Sequence, residues 1–246
     1  MIYRTDLHIH STLSPCGSLA SSPGAIVAEA VRKQLDIVAI SDHNSTMNLP
    51  AFRKVSEGKV IPFYGIEVQT LSETHLLVIF DNFDAAMDFG SMVHDALPDI
   101  KNNPDFFGDQ VIVDEHEEII SFEDRLLLQS AAMDVEEVTT MAHTLGGLVF
   151  PAHIDHDSFS IISQLGFIPP DLPIDGIELS KNITLSEAEN SFPEYCRRYP
   201  VIRNSDAHYI KEIGTSCTLF DIERPSLAEL KKALDREDGR SCSFDA

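Results

Sequence analysis

Nine candidate metal ligands recur along the chain in short packets, and most packets follow an apolar run that reads as a buried strand. His8 and His10 stand in DLHIH after the run from Ile2 to Leu7, and Cys16 follows in SPCG. His43 lies in SDHNS after Ile37 to Ile40, Glu67 in GIEVQ after Val60 to Ile66, and His153 in PAHID after Leu148 to Ala152. His75 instead precedes its strand, LLVIF, and Asp206 with His208 closes the series in SDAH. A borderline divalent metal accepts imidazole, carboxylate and thiolate. In a barrel of parallel strands, residues just past the strand C-termini converge on one face, so ligands remote in sequence meet there. The pattern predicts a polynuclear metal site on an α/β fold.

Spacing supports this packet by packet. In an extended segment side chains repeat every second residue, so His8 and His10 share one side, as do Asp206 and His208. Glu67 follows an apolar strand, where an uncompensated carboxylate is costly, so a cation is its expected partner and it is the candidate to bridge two metals. Asp42 beside His43, and Asp6 beside the first pair, are expected to fix ring orientation from outside the ligand sphere. Pro15 and Gly17 hold Cys16 in a tight turn near His10. His94, His116 and His143 lack supporting neighbours and read as structural or solvent-facing.

The rest of the chain reads as alternating strands and helices. Ser21, Ser22 and Pro23 signal a helix start before AIVAEAVRKQL, and a short helix is expected from Leu49 to Ser56. Asp134 caps a helix over VEEVTTMAHTL, which Gly146 and Gly147 end. IDGIELSKN and YPVIRNSDAH each supply a strand, and Ser226 caps a closing amphipathic helix. Residues 81 to 133 scatter Phe83, Phe89, Phe106 and Phe107 among acids and carry no metal packet, so they read as a mainly helical insertion or lid.

At 246 residues the chain suits one domain, 1–246, since α/β barrels reach about 250 residues undivided. No apolar stretch approaches the roughly 20 residues that cross a bilayer, and the start lacks the features of a secretory signal. Four cysteines without a close pair indicate neither a disulfide framework nor a zinc ribbon, so a reducing cytoplasm is the expected setting. The net charge of −22, with 40 acidic and 18 basic residues, should repel a polyanion. The expected partner is therefore a small phosphorylated substrate, with nucleic acid and membrane disfavoured, and the expected state a monomer or weak homo-oligomer.

In this order, DLHIHS, ISDHNS, GIE followed by His75, PAH and SDAH resemble the PHP superfamily, named for its polymerase-associated and histidinol phosphatase members. The resemblance implies a distorted TIM-like (β/α)7 barrel with up to three metals at the strand C-termini. Carried over by motif, His8, His10, Glu67 and Asp206 would hold one metal and Glu67, His75 and His153 a second, with Glu67 bridging. His43, His208 and Cys16 would hold a third; the family commonly has His or Asp where this chain has Cys16. A thiolate there favours zinc or ferrous iron, while manganese suits the other two sites.

Two to three divalent ions imply a metal-dependent phosphoesterase that hydrolyses a small phosphate ester, such as a nucleotide, sugar phosphate or histidinol phosphate, through a metal-activated hydroxide. Glu67, Asp206 and His208 are the expected catalytic residues, with the third metal, or His208 in its absence, stabilising the leaving group. His156, Lys181 and Arg203 follow strand ends and are candidates to hold the substrate phosphate. The competing readings are a PHP-type exonuclease and a non-catalytic metal-binding regulatory module. A cyclic amidohydrolase is disfavoured because no Lys follows a strand in the right packet.

Overall fold

Short apolar runs become strands, and polar residues with capping chemistry start the helices between them. In the computed structural model, which describes residues 1–244, β1 (Ile2–Asp6) leads through a ligand-bearing loop to α1 (Pro23–Arg32), β2 (Ile37–Ile40), α2 (Leu49–Ser56) and β3 (Ile61–Gln69). β4 (His75–Phe80) follows directly. Next come α3 (Phe83–Asp95), the single turn α4 (Pro104–Phe107), and the hairpin β5 (Val111–Val113) and β6 (Ile119–Phe122). The chain continues through α5 (Val135–Thr144), β7 (Leu148–Pro151), α6 (Ile161–Leu165), β8 (Ile177–Leu179), α7 (Leu185–Ser191), α8 (Pro193–Arg198) and β9 (Val201–Arg203). It ends with β10 (Thr218–Asp221), α9 (Leu227–Asp235) and β11 (Ser241–Phe244). The expected caps are in place. Ser22 accepts from the Ala25 amide, Asp134 forms a reciprocal capping box with Glu137, and Ser226 accepts from Glu229.

Seven strands form one curled sheet in the order β11-β10-β1-β2-β3-β4-β7. β1, β2 and β3 are parallel neighbours, whereas β4 is antiparallel to β3 and to β7, and β10 and β11 extend the far edge antiparallel. β8 and β9 pair in parallel as a separate two-stranded sheet. A bridge between Ile9 and Ala207 joins the chain after β9 to the chain after β1. The fold is thus α/β with a curled sheet that departs from a barrel of parallel strands. The departure has a local cause: residues 70–74 are too few for the crossover of about a dozen residues that a parallel partner needs, so β3 turns straight back into β4. That turn sets Gln69 opposite His75 and brings His75 to the same end of the sheet as Glu67.

Side chains alternate between two cores. Ile37 and Ala39 of β2 and Leu77 and Ile79 of β4 pack inward with Phe63, Phe150, Ile202 and the Leu227 and Leu230 face of α9. Val38, Ile40, Leu76, Val78 and Phe80 pack outward against α1, α2, α3 and α5. Burial on both faces explains why these strands read as unbroken apolar runs. In β3 the outward residues are Tyr64, Ile66 and Val68, so Glu67 shares the inward side with Phe63, at the ligand-bearing end. Gly65 is required beneath it, since a Cβ there would lie 2.9 Å from the Ile40 carbonyl oxygen.

Segment 81–133 is mixed rather than mainly helical, because only α3 is a full helix and the β5–β6 hairpin follows it. Its aromatics divide by function. Phe89 is buried in the outer core and Phe83 packs edge-on to Tyr64, while Phe106 is exposed and Phe107 faces the cavity described next.

Candidate metal centre

Glu67 is the hub. Its Oε2 lies 3.4 Å from His8 Nε2, 3.4 Å from His10 Nε2 and 3.0 Å from His43 Nδ1. Its Oε1 lies 2.9 Å from His75 Nδ1 and 3.0 Å from His153 Nε2. The two oxygens of one carboxylate therefore face two different sets of imidazoles. Asp206 Oδ1 adds contacts of 3.6 Å to His8 Nε2 and 3.3 Å to His10 Nε2. His208 and Cys16 complete a further group with His10 and His43, whose donor atoms all lie within 4.8 Å of one another.

Buried donors normally find hydrogen-bond partners. Here His8 Nε2, His10 Nε2, His43 Nδ1 and His153 Nδ1 are buried without one. The first three face carboxylate oxygens at 3.0–3.6 Å but lack hydrogen-bond geometry. Two ligands on one tetrahedral ion at about 2.1 Å stand roughly 3.4 Å apart, so these separations suit lone pairs aimed at a shared cation. The donor set of imidazole, carboxylate and thiolate fits divalent zinc, iron or manganese.

The electrostatics agree with the geometry. Burial pushes Glu67 upward, but His75, His8 and His43 outweigh it and hold the carboxyl well below its usual range. Burial also opposes charge on His8, yet Glu178, Glu67 and Asp206 together draw a proton to the ring. A dication satisfies the same carboxylates in place of that proton. Desolvation likewise resists ionisation of Cys16, but His43 and His208 bring the thiol down to about 6. His208 rises to about 9 against its own desolvation, because Cys16 and Asp206 favour its charged form.

The surrounding shell differs in detail from the sequence expectation. Asp42 acts on His10 rather than on His43: Ser14 Oγ donates to Asp42 Oδ1 at 2.7 Å and meets His10 Nδ1 at 2.9 Å. With its one proton given to the carboxylate, the hydroxyl accepts from Nδ1–H and leaves His10 Nε2 free for the centre. Asp6 does not touch the first pair of rings. It accepts the Ser205 amide at 3.1 Å and the Gly214 amide at 2.8 Å, anchoring the loop that carries Asp206, and burial raises it to about 6. His153 and Asp206 both have positive φ, 32° and 45°, so two of the candidate ligands sit in strained backbone held by their surroundings.

Of the three candidates for phosphate contact, only His156 reaches the site, stacked on His153 with ring centroids 4.3 Å apart. Lys181 lies 3.5 Å from Glu212, and Arg203 donates to the Ile183 carbonyl at 2.9 Å, so the fold engages both elsewhere. A cavity of about 410 Å³ opens over the cluster, walled by Cys16, Phe107, Leu128, His156 and Phe159. Phe159 has φ +59° and stacks on His75 at 4.9 Å. Ser14, Phe159 and Glu178, a buried carboxylate against His8, were not singled out by the sequence reading. A charged residue inside the short buried strand IEL was the available signal for Glu178.

A model of the PHP domain family matches residues 6–145, more than half of the chain, and a PHP-associated model matches 196–238. The chain belongs to the PHP domain family. No curated protein sequence matches it. Among solved structures, this PHP chain resembles the lesion-specific endonuclease PfuEndoQ from Pyrococcus furiosus, with TM-score 0.70 and 21% identity, covering 98% of the chain and 58% of the endonuclease. It also resembles endonuclease Q in complex with a 27-mer duplex substrate bearing an abasic lesion at the active site, with TM-score 0.68 and 22% identity, again covering 98% and 58%. A two-domain protein from Bacteroides vulgatus, with a region predicted to be a PHP-like metal-dependent phosphoesterase, gives TM-score 0.58 and 18% identity, covering 99% and 65%. At these identities the likeness concerns the fold, and the PHP chain spans under two thirds of each.

The likeness to an endonuclease that holds a 27-mer duplex substrate overturns the expected partner, a small phosphorylated substrate with nucleic acid disfavoured. The physical reason is that the net charge of −22 sums the whole surface, whereas bound cations set the field at a metal centre. No helix among the described residues is long and apolar enough to cross a membrane.

Proposed function

We propose that this PHP chain is a metal-dependent phosphodiesterase that cleaves nucleic acid, a broader class than the PHP-type exonuclease that the sequence offers as an alternative. The observation that carries the proposal is the set of three orphaned buried ring nitrogens, on His8, His10 and His43, that face Glu67 Oε2, while His75 and His153 hydrogen-bond its Oε1. His8, His10, Glu67 and Asp206 would hold one ion, and Glu67, His75 and His153 a second. His43, His208 and Cys16 would hold a third, with His10 at its edge. Zinc or iron suits the thiolate site and manganese the other two. When bound, such ions supply Lewis-acid stabilisation of a phosphoryl group and a water activated near neutrality.

The chain's own residues do the rest. Glu67 fixes the spacing between the imidazole sets, and Asp206 keeps its carboxylate charged against two of them. Where the third ion is absent, His208, partly exposed at the cavity wall, would take its place at a departing oxygen. Phe107 and Phe159 exclude water and offer aromatic faces to a nucleoside beside the scissile phosphate. We also propose that residues 1–246 act as one domain with 81–133 as its insertion.

The test is strand cleavage of labelled duplexes, with and without an abasic site, by metal-loaded and metal-stripped protein. Metal-dependent cleavage is expected. Because few cations line the cavity, log K against log salt should have a slope of only about −1 to −2. Turnover of phosphomonoesters without cleavage of any strand would overturn the substrate class.

A further inference from the structure

Glu178, in the middle of β8, is buried and encircled by donors. Its Oε1 accepts from Asn204 Nδ2 at 2.7 Å and its Oε2 from the His153 amide at 3.1 Å, while His8 Nδ1 lies 3.2 Å and 3.0 Å from the two oxygens. The orientation of Asn204 is fixed independently. Its Oδ1 accepts the Leu7 amide at 2.8 Å, and a backbone N–H can only donate, so the amide nitrogen must face Glu178. Both carboxylate oxygens thus already receive a donor. Imidazole is the more basic partner, so the shared proton belongs on His8 Nδ1. The opposite ring atom, Nε2, is then bare, and it is one of the buried nitrogens without a partner.

We propose that Glu178, oriented by Asn204, is the positioning residue of this centre: it holds His8 as the Nδ1–H tautomer and presents Nε2 to the cation. The same carboxylate steadies a second candidate ligand. The His153 amide donates to its side chain and the Ile154 amide to its main-chain carbonyl at 2.9 Å, on either side of the strained His153 backbone. One residue therefore links the first and second ligand sets from outside both. A glutamine cannot replace it, because its amide group would bring a donor against either Asn204 Nδ2 or the His153 amide.

The inference rests on the metal reading and not on the choice of nucleic acid as substrate. The experiment pairs the nitrogen-15 spectrum of the histidine rings in zinc-loaded wild-type protein with zinc competition titrations of wild type and Glu178→Gln. Expected are zinc bonded to His8 Nε2 with a proton retained on Nδ1, and roughly 10–100-fold weaker zinc binding in the variant with its metal-free thermal transition in place. Zinc on His8 Nδ1, or unchanged affinity in the variant, overturns the positioning role while leaving the metal centre standing. Failure of the wild type to take up zinc, manganese or iron overturns both. Should the variant not fold, the wild-type spectrum decides alone.

Discussion

Among the described residues, the histidine–carboxylate cluster around Asp175 and the one around Glu67 differ in what completes them. At the start of β7, His143 Nε2 donates to Asp175 Oδ2 at 2.8 Å, the Val149 amide donates to the same oxygen at 2.9 Å, and Lys231 stands 3.3 Å from Oδ1. Protein donors finish that carboxylate. At the other cluster Glu67 gathers five imidazoles, and several ring nitrogens remain buried with no hydrogen bond. The residue types are the same, yet one cluster is closed and the other needs a cation. Burial of charge alone therefore does not identify a functional site; an unmet donor set does.

The strongest test of this contrast is metal removal. Chelation should abolish cleavage, and at a metal concentration near a thousand times Kd each bound ion contributes about 4 kcal/mol to stability, so loss of even one should lower the melting temperature by roughly 8–16 °C. A scanning calorimetry trace unchanged by chelator would place the Glu67 cluster with the closed kind. Glu67→Gln comes next: removing the shared carboxylate charge should lower turnover by more than about a hundredfold, beyond the 10–100-fold typical of outer partners. Steady-state rates at saturating metal check this.

Asp175→Ala probes the closed cluster and should cost about 1–3 kcal/mol in denaturant unfolding, with metal stoichiometry unaltered. Burial works to raise Asp175, but His143, the Val149 amide and Lys231 bring it below 3.8. A carboxyl with a depressed folded pKa stabilises fully above its unfolded value and loses that contribution as pH falls through the folded value. The gap in stability between wild type and variant should hold from neutrality to about pH 4 and close below it. A gap that widens in acid would contradict the assignment. Smallest is Cys16→Ser, expected to weaken zinc binding at the site proposed for Cys16, His43 and His208 by about tenfold, without effect on the other proposed sites. Metal analysis after dialysis against limiting zinc reads the difference.

Legibility in the sequence followed the range of the interactions. The ligand packets were visible because each is local: His8 with His10 shares a side through extended geometry within three residues, and Asp206 with His208 stands two positions apart, although Asp206 itself has a positive φ. The caps at Asp134 and Ser226 were visible for the same reason. Glu178 was not, because its meaning lies in His8 and Asn204, 170 and 26 positions away. The extent of helix in 81–133 was misjudged because the β5–β6 hairpin has no sharp turn signal and β6 is exposed along its length.

What the sequence by itself determined is the inventory of donors and their placement near strand ends, since residue identity and short-range periodicity suffice for both. Only the tertiary structure decided that β4 runs antiparallel, that Glu67 divides its oxygens between two imidazole sets, and which ring nitrogen each histidine turns inward. Those outcomes depend on contacts between segments far apart in the chain, where loop lengths, sheet register and competing hydrogen bonds are settled together.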